Sequence, residues 1–437
     1  MTEEHQSESQ GEAESKSESK SSSLTARFTE WLYLPSGQLE LLRRLTALAT
    51  IAIGFIVFNW TKGGPGPYIV PAWRYHQHLL ILPLPPSPVT EILFLSAAVA
   101  CLLMAFGLKQ KWIIAIPVLV GAYFGCRDFW AMGSHFVVML WTYLVALLFE
   151  RPGKNCSRRL IQLSVFLCYF YSALQKLLSP DFIAGYSMQA EMSDGWCFNS
   201  YAAPIMHLGG APFIFWQLFS WITVALEFFL AFALISKRFR KTALLLGLLF
   251  HIGISAMLDF YITLFSISMI VGYLAFIDSK PEQAQETLAE SDASVYGTRR
   301  GRLEPILAGA FAVLMCAVPL RVYATTERPL NDVTMLDRTP WTFCMFLQRL
   351  DVNKVDIRYR TKDGDWHKVA LLHKWRTNAA SNDNELYSIC SWALHRYPEA
   401  TEVTADIEFR VNKRWTQHKS IHATREQTDL VKVVSIR

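Results

Sequence analysis

Four residues in the apolar part of this sequence carry groups that can take up or hold a proton: His135, Lys176, Glu227 and His251. An ionisable side chain in a bilayer is costly, so such residues face a bundle interior, pair with one another or line a cavity. Lys176 closes the apolar part of YFYSALQKLLSPDFIAGYSM, Tyr169–Met188, and no Lys or Arg follows it before Pro212. A lysine at the end of a span either reaches for water or serves chemistry. As a base it must be neutral, a form that burial in apolar surroundings favours. His135 could then donate a hydrogen bond to a substrate oxygen or stabilise an anion formed there. At about 1.5 Å per residue, Glu227 sits roughly 20 Å from the start of its segment, and His251 nearer 10 Å from the end of its own. These two meet only if the sixth segment begins later than Pro212. Glu227 is therefore expected to pair with a basic or hydroxyl group elsewhere.

Those residues sit in long apolar runs. Runs of roughly 18 apolar residues can cross a bilayer. Nine such segments are expected, at about 41–60, 91–107, 112–126, 135–149, 160–177, 212–235, 242–257, 260–277 and 303–320. Lys and Arg cluster in alternate connections: Arg43 and Arg44 open the first segment, and Lys109 and Lys111 fill the second connection. Arg151, Lys154, Arg158 and Arg159 fill the fourth, Lys237, Arg238, Arg240 and Lys241 the sixth, and Arg299, Arg300 and Arg302 precede the ninth. The positive-inside rule then puts the N-terminus in the cytoplasm and everything after Arg321 outside it. On that topology His135 and Lys176 both lie near the outer surface. The modest net charge does not point to nucleic acid.

Three regions follow. Residues 1–27 read as a disordered cytoplasmic tail, since the first 23 are almost wholly polar. They lack the apolar region of a cleavable signal peptide, which leaves the first span as the targeting signal. Residues 28–324 form the helical membrane domain, interrupted by a polar cytoplasmic loop at 279–302. Residues 325–437 read as a small β-rich extracytoplasmic domain. VDIRYRTKDGDWHKVALL alternates around Asp363-Gly364, a hairpin signal, and TEVTADIEFRVNKRW and DLVKVVSI add strand-like alternation. ELYSICSWALHRYP reads as a short amphipathic helix that stops before Pro398. The basic residues of this domain could attract acidic peptides or lipid headgroups, or form a solvated strand face. No CxxC or metal-ligand spacing is present, and no metal is expected. Cys344 and Cys390 share the extracytoplasmic region, where a disulfide is chemically permitted.

The ordered set of these stretches resembles a known family. YFYSALQKLLSPDFIAGYSM is similar to the run in vitamin K-dependent γ-glutamyl carboxylases that holds the proposed base, and Lys176 falls on that lysine. LFHIGISAMLDFYITLFSISM, residues 249–269, looks like the family's later pair of spans. PWTFCMFLQRLDVNKVDIRYRTKDG, residues 340–364, resembles the stretch opening its extracytoplasmic β domain. LELLRRLTA, with Arg44, fits the start of the broader horizontally transferred transmembrane (HTTM) group. The resemblance runs from about Phe28 to Leu372.

It implies an enzyme of the carboxy-lyase type. In this family oxygenation of reduced vitamin K is coupled to removal of a γ-proton from protein-bound Glu, and the carbanion takes up carbon dioxide. Carried over, Lys176 and His135 would be catalytic, and Ser134, His251, Trp341 and Met345 would lie against the quinone. Glu227 stands where the carboxylases have an intramembrane acid. The implied cofactor is a menaquinol-like reduced quinone with O2 and CO2. The implied partners are the lipid bilayer and a Glu-containing secreted peptide or protein. Ser134 replaces the family's Asn, Gln175 replaces a Lys, and no Tyr shortly precedes Trp341. The tail is also short. These departures bear on carboxylation of a protein more than on binding a quinone. The alternative is a non-carboxylating HTTM protein that handles a quinone or assists peptide export or maturation. A transporter fits less well, because no inverted repeat is evident.

Overall fold

The computed structural model describes residues 39–61, 87–127, 135–150, 155–193, 212–257, 260–277, 299–325, 350–369, 383–411 and 415–424. Each of the nine expected segments falls on a described helix. These are α1 (Leu39–Thr61), α2 (Ser87–Ala105), α3 (Lys111–Arg127), α4 (His135–Leu148) and α5 (Cys156–Leu178). Two short helices follow, α6 (Pro180–Ile183) and α7 (Tyr186–Ser193), then α8 (Phe213–Ile235), α9 (Arg240–Met257), α10 (Phe260–Tyr273) and α11 (Arg299–Thr325). Among the described residues four helices are long and apolar enough to cross a membrane: α2, α5, α8 and α11. α3, α4 and the stretch Thr263–Phe276 are apolar but shorter. α11 already begins at Arg299, so the last residues of the expected loop 279–302 are helical. The expected tail, residues 1–27, lies outside the described residues.

α5 is the axis of the bundle. It is buried along most of its length and packs against α4, α8, α10 and α11. Its sequence explains where it stops. Pro180 clashes with a helical conformation at the residue before it, and Ser179 accordingly turns extended at φ −90°, ψ 107°. The Ser179 hydroxyl then caps α6 by accepting a bond from the Phe182 N–H at 3.4 Å, with Pro180 at the first helical position. Gly185 joins α6 to α7 at φ +89°, a conformation that L side chains rarely adopt. A Cβ there would also sit 2.7–2.9 Å from the backbone of Trp216 and Gln217, so glycine lets α6–α7 lie directly on the first turns of α8.

Buried arginines tie helix ends together. Arg43, at the start of α1, is fully buried and binds both carboxylate oxygens of Glu150, beyond the end of α4, at 2.8 and 3.0 Å. Arg158 of α5 donates to the carbonyls of Ala275 and Ile277 after α10, and Arg240 to those of Leu234 and Ile235 at the end of α8.

The C-terminal region holds an antiparallel sheet in the order β2-β1-β3-β4, with β1 Leu350–Thr361, β2 Trp366–Lys368, β3 Ala400–Val411 and β4 Trp415–Thr424. Helix α12 (Asp383–Arg396) covers one face, its Leu386, Ile389, Cys390 and Ala393 packing on Ile357, Val403, Ala405, Ile407, Phe409 and Ile421. The expected hairpin at Asp363-Gly364 and the expected helix are both present. The expected strand DLVKVVSI lies outside the described residues; the more polar WTQHKSIHAT forms β4 and pairs with β3 along its whole length. The opposite face carries paired charges, Arg358 with Asp356 and Arg360 with Glu402.

Candidate functional site

Lys176 lies two residues from the end of α5, and Glu227 lies fourteen residues, about 21 Å, into α8. They nevertheless meet. Lys176 Nζ donates to Glu227 Oε1 at 2.5 Å and to Ser172 Oγ at 2.7 Å, while Ser172 Oγ lies 3.3 Å from the same carboxylate oxygen. Both side chains are all but excluded from solvent, at 1% and 4% exposure. The contact requires the two antiparallel helices to be staggered, and aromatic pairs along the seam agree: Phe170 packs on Phe228 and Phe166 on Phe232.

This stagger sets Lys176 against the middle turns of α8. The turns of α8 beyond the end of α5 expose Phe213, Ile214, Leu218 and Ile222, a surface suited to lipid. Their inner side is covered by α6–α7, where Phe182 and Met188 pack on Trp216 and Val224. Lys176 therefore does not snorkel at a span end. It is an interior residue roofed by a short helical hairpin, with Phe182 presenting its ring 5.8 Å from Nζ.

One turn further along the same face of α5 is a second polar group. Tyr169, Ser172 and Lys176 are spaced i, i+3, i+7, which aligns them. The Tyr169 hydroxyl bonds His251 Nε2 of α9 at 2.6 Å and the Tyr273 hydroxyl of α10. His251 is fully buried and packs edge-on against Phe265, at 5.7 Å between ring centres. His135, at the start of α4, meets the same Phe265 ring at 6.4 Å. One aromatic ring thus stands between the two histidines.

The sequence-derived candidates separate clearly. Lys176 and Glu227 form one centre, His251 and Tyr169 a second, and His135 approaches the second. Glu227 and His251 belong to different networks. Arg44 is half-exposed and bonded to Glu40 at 2.7 Å; the buried arginine is its neighbour, Arg43. Ser134, Trp341, Cys344 and Met345 lie outside the described residues. Cys390 is a free thiol in the core between α12 and the sheet, and burial pushes its pKa up to about 12. Sequence reasoning missed Tyr169, Ser172 and Tyr273. For the first two the signal was their spacing from Lys176. Tyr273 had none, because it comes from another helix. Among the described residues no group of His, Cys, Asp and Glu is placed to hold a metal.

The arrangement can hold and exchange a proton away from bulk water. Two orphaned atoms also face inward: Glu227 Oε2 and His251 Nδ1 are buried and have no hydrogen-bond partner among the described residues.

Residues 155–280 match the model of the HTTM domain family. The matched segment spans α5 to α10 and so contains Lys176, Glu227 and His251, while His135 precedes it. No curated protein and no solved structure matches the chain. The apolar helices and this match together make the protein a membrane protein that carries an HTTM domain.

Proposed function

We propose that this protein is an integral membrane enzyme of the vitamin K-dependent γ-carboxylase type, with the Lys176–Glu227 pair as its acid–base centre. The observation that carries the reading is the pair itself: a lysine sealed in an apolar bundle against a carboxylate from a second helix. A buried ion pair is a poor way to stabilise a fold, since desolvation of both charges offsets most of their attraction. Its retention inside a membrane is better explained by use.

Lysine acts as a base only as the free amine. Glu227 can accept the ammonium proton across their hydrogen bond, which leaves a neutral amine beside a neutral acid. Lys176 then takes a proton from a substrate hydroxyl, and Ser172 holds the amine in place. His251, fixed through Nε2 by Tyr169, offers Nδ1 to a quinone oxygen. A bound quinol, with O2 and CO2, supplies the oxidative and carboxylating chemistry. The acceptor is a Glu side chain of an extracytoplasmic peptide.

Nine spans, a cytoplasmic N-terminus and an extracytoplasmic sheet domain belong to the same proposal and rest on the alternating loop charges. Thiol labelling that placed 178–211 in the cytoplasm would overturn that orientation.

The purified protein, given reduced vitamin K, a Glu-containing peptide and labelled CO2, is expected to form quinone epoxide and acid-stable label. Epoxide without label favours the second reading, a non-carboxylating HTTM protein that handles a quinone. The departures at Ser134 and Gln175 and the short tail support that reading. Neither product would refute the catalytic assignment.

A further inference from the structure

Three buried polar side chains of α8 share a narrow face. At 3.6 residues per turn, Trp216, Ser220 and Glu227 fall within about 40° of one another around the helix axis. Each is at least nine-tenths buried. Trp216 Nε1, Ser220 Oγ and Glu227 Oε2 all lack a hydrogen-bond partner among the described residues.

Such atoms are rarely left unmade in a folded protein, because the lost hydration is not recovered. Ser220 is the more telling because helical hydroxyls have an easy alternative. Thr223, three residues on, donates to the Phe219 carbonyl at 2.9 Å, and Ser268 and Ser164 do the same to Phe265 and Ile161. Ser220 makes no such bond. The sequence of groups is also directional: an N–H that can only donate, a hydroxyl that does both, and a carboxylate oxygen that accepts. Ser220 and Glu227 are about 10 Å apart along the axis, a gap that two or three waters at ordinary hydrogen-bond spacing span. Val224, Phe182 and Met188 pack with Trp216 in one apolar cluster beside this line.

We propose that the Trp216–Ser220–Glu227 face of α8 holds a file of internal water molecules along which protons leave and return to the Lys176–Glu227 pair. The file runs from beneath the α6–α7 roof down to Glu227 Oε2. Each transfer passes a proton from the Glu227 carboxyl to the first water, while the last water gives one to bulk water at the edge of the α6–α7 roof; Glu227 is left as the carboxylate and the file itself is unchanged. Only the proton's purpose rests on the acid–base function proposed above; the waters and the connection do not.

Two measurements on the full-length protein in lipid nanodiscs test this without any assay of activity. X-ray-generated hydroxyl radicals in 18O-labelled water mark side chains that touch internal water. Trp216 is expected to be oxidised in spite of its burial, and Ser220→Ala is expected to reduce that labelling severalfold. Trp216 left unlabelled would overturn the file. In the second, 15N-lysine NMR follows hydrogen exchange at Lys176 Nζ, assigned by its loss in Lys176→Arg. Exchange is expected to slow at least tenfold in Ser220→Ala. An unchanged rate would overturn the route. Stability gives an independent sign: removing a dry, unsatisfied hydroxyl raises the melting temperature, whereas removing a water ligand lowers it, here by about 2 °C.

Discussion

Lys176 and Glu227 meet at 2.5 Å although one stands at the end of its helix and the other past the middle of its own. The stagger of α5 against α8 brings them together, and the α6–α7 hairpin closes the space above. Breaking a buried pair strands the remaining charge, which costs about 3–5 kcal/mol, while replacing both partners with apolar residues costs far less. Lys176→Ala and Glu227→Ala should each lower stability on that scale, and Lys176→Met with Glu227→Leu should recover most of it. Thermal unfolding of the four proteins in one detergent measures the coupling. Additive losses would show that the two side chains act separately.

Arg43 and Arg44 are adjacent in sequence and opposite in consequence. Arg43 is buried and pairs with Glu150 and Glu40, whereas Arg44 is 46% exposed and pairs with Glu40 one turn away. Arg43→Ala should cost about 3 kcal/mol or more by leaving Glu150 without its partner, and Arg44→Ala less than about 1 kcal/mol. Equal effects in thermal unfolding would contradict the assignment.

Gly272 of α10 has no room for a side chain. A Cβ would strike the Tyr143 hydroxyl and approach Val165 Cγ2 at 2.7 Å. Gly272→Ala should destabilise the bundle by about 1–3 kcal/mol. Tyr143→Phe removes a buried oxygen that has no partner among the described residues and relieves the nearest clash, so the double variant should regain part of the loss. A double variant no more stable than Gly272→Ala would refute that contact.

On the sheet, burial alone would raise the Glu402 pKa, but bonds from His422 at 2.7 Å and Arg360 at 3.1 Å outweigh it and hold it below the ordinary carboxyl value. A carboxylate with a lowered folded-state pKa contributes stability that is present above its unfolded value and lost as pH falls through the folded one. Between pH 6 and 3.5 the melting temperature of the wild-type chain should therefore fall more steeply than that of Glu402→Gln. Parallel curves would remove Glu402 from the account.

The helices were legible because an apolar run long enough to approach a bilayer has few alternatives to helix. Vertical offset was not legible. Run boundaries fix where a helix starts in the chain but not how far it slides along a neighbour, so Glu227 was left to seek its partner. The hairpin at Asp363-Gly364 was marked by turn chemistry and alternation. β4 was not, since His418, Ser420 and His422 face out, while among its described side chains Ile421 and Ala423 are the buried ones. Arg43 and Arg44 both open the first segment in the sequence, and a one-residue step around a helix decides which of two neighbours faces inward.

The central claim is that Lys176 works as a base whose proton Glu227 can accept. Its most direct test is epoxide formation from reduced vitamin K by the purified protein in lipid, compared with Lys176→Ala and Glu227→Gln. The account predicts turnover in the wild type, loss of at least a hundredfold in Lys176→Ala and a smaller but clear loss in Glu227→Gln. Full turnover in a folded Lys176→Ala protein would contradict it.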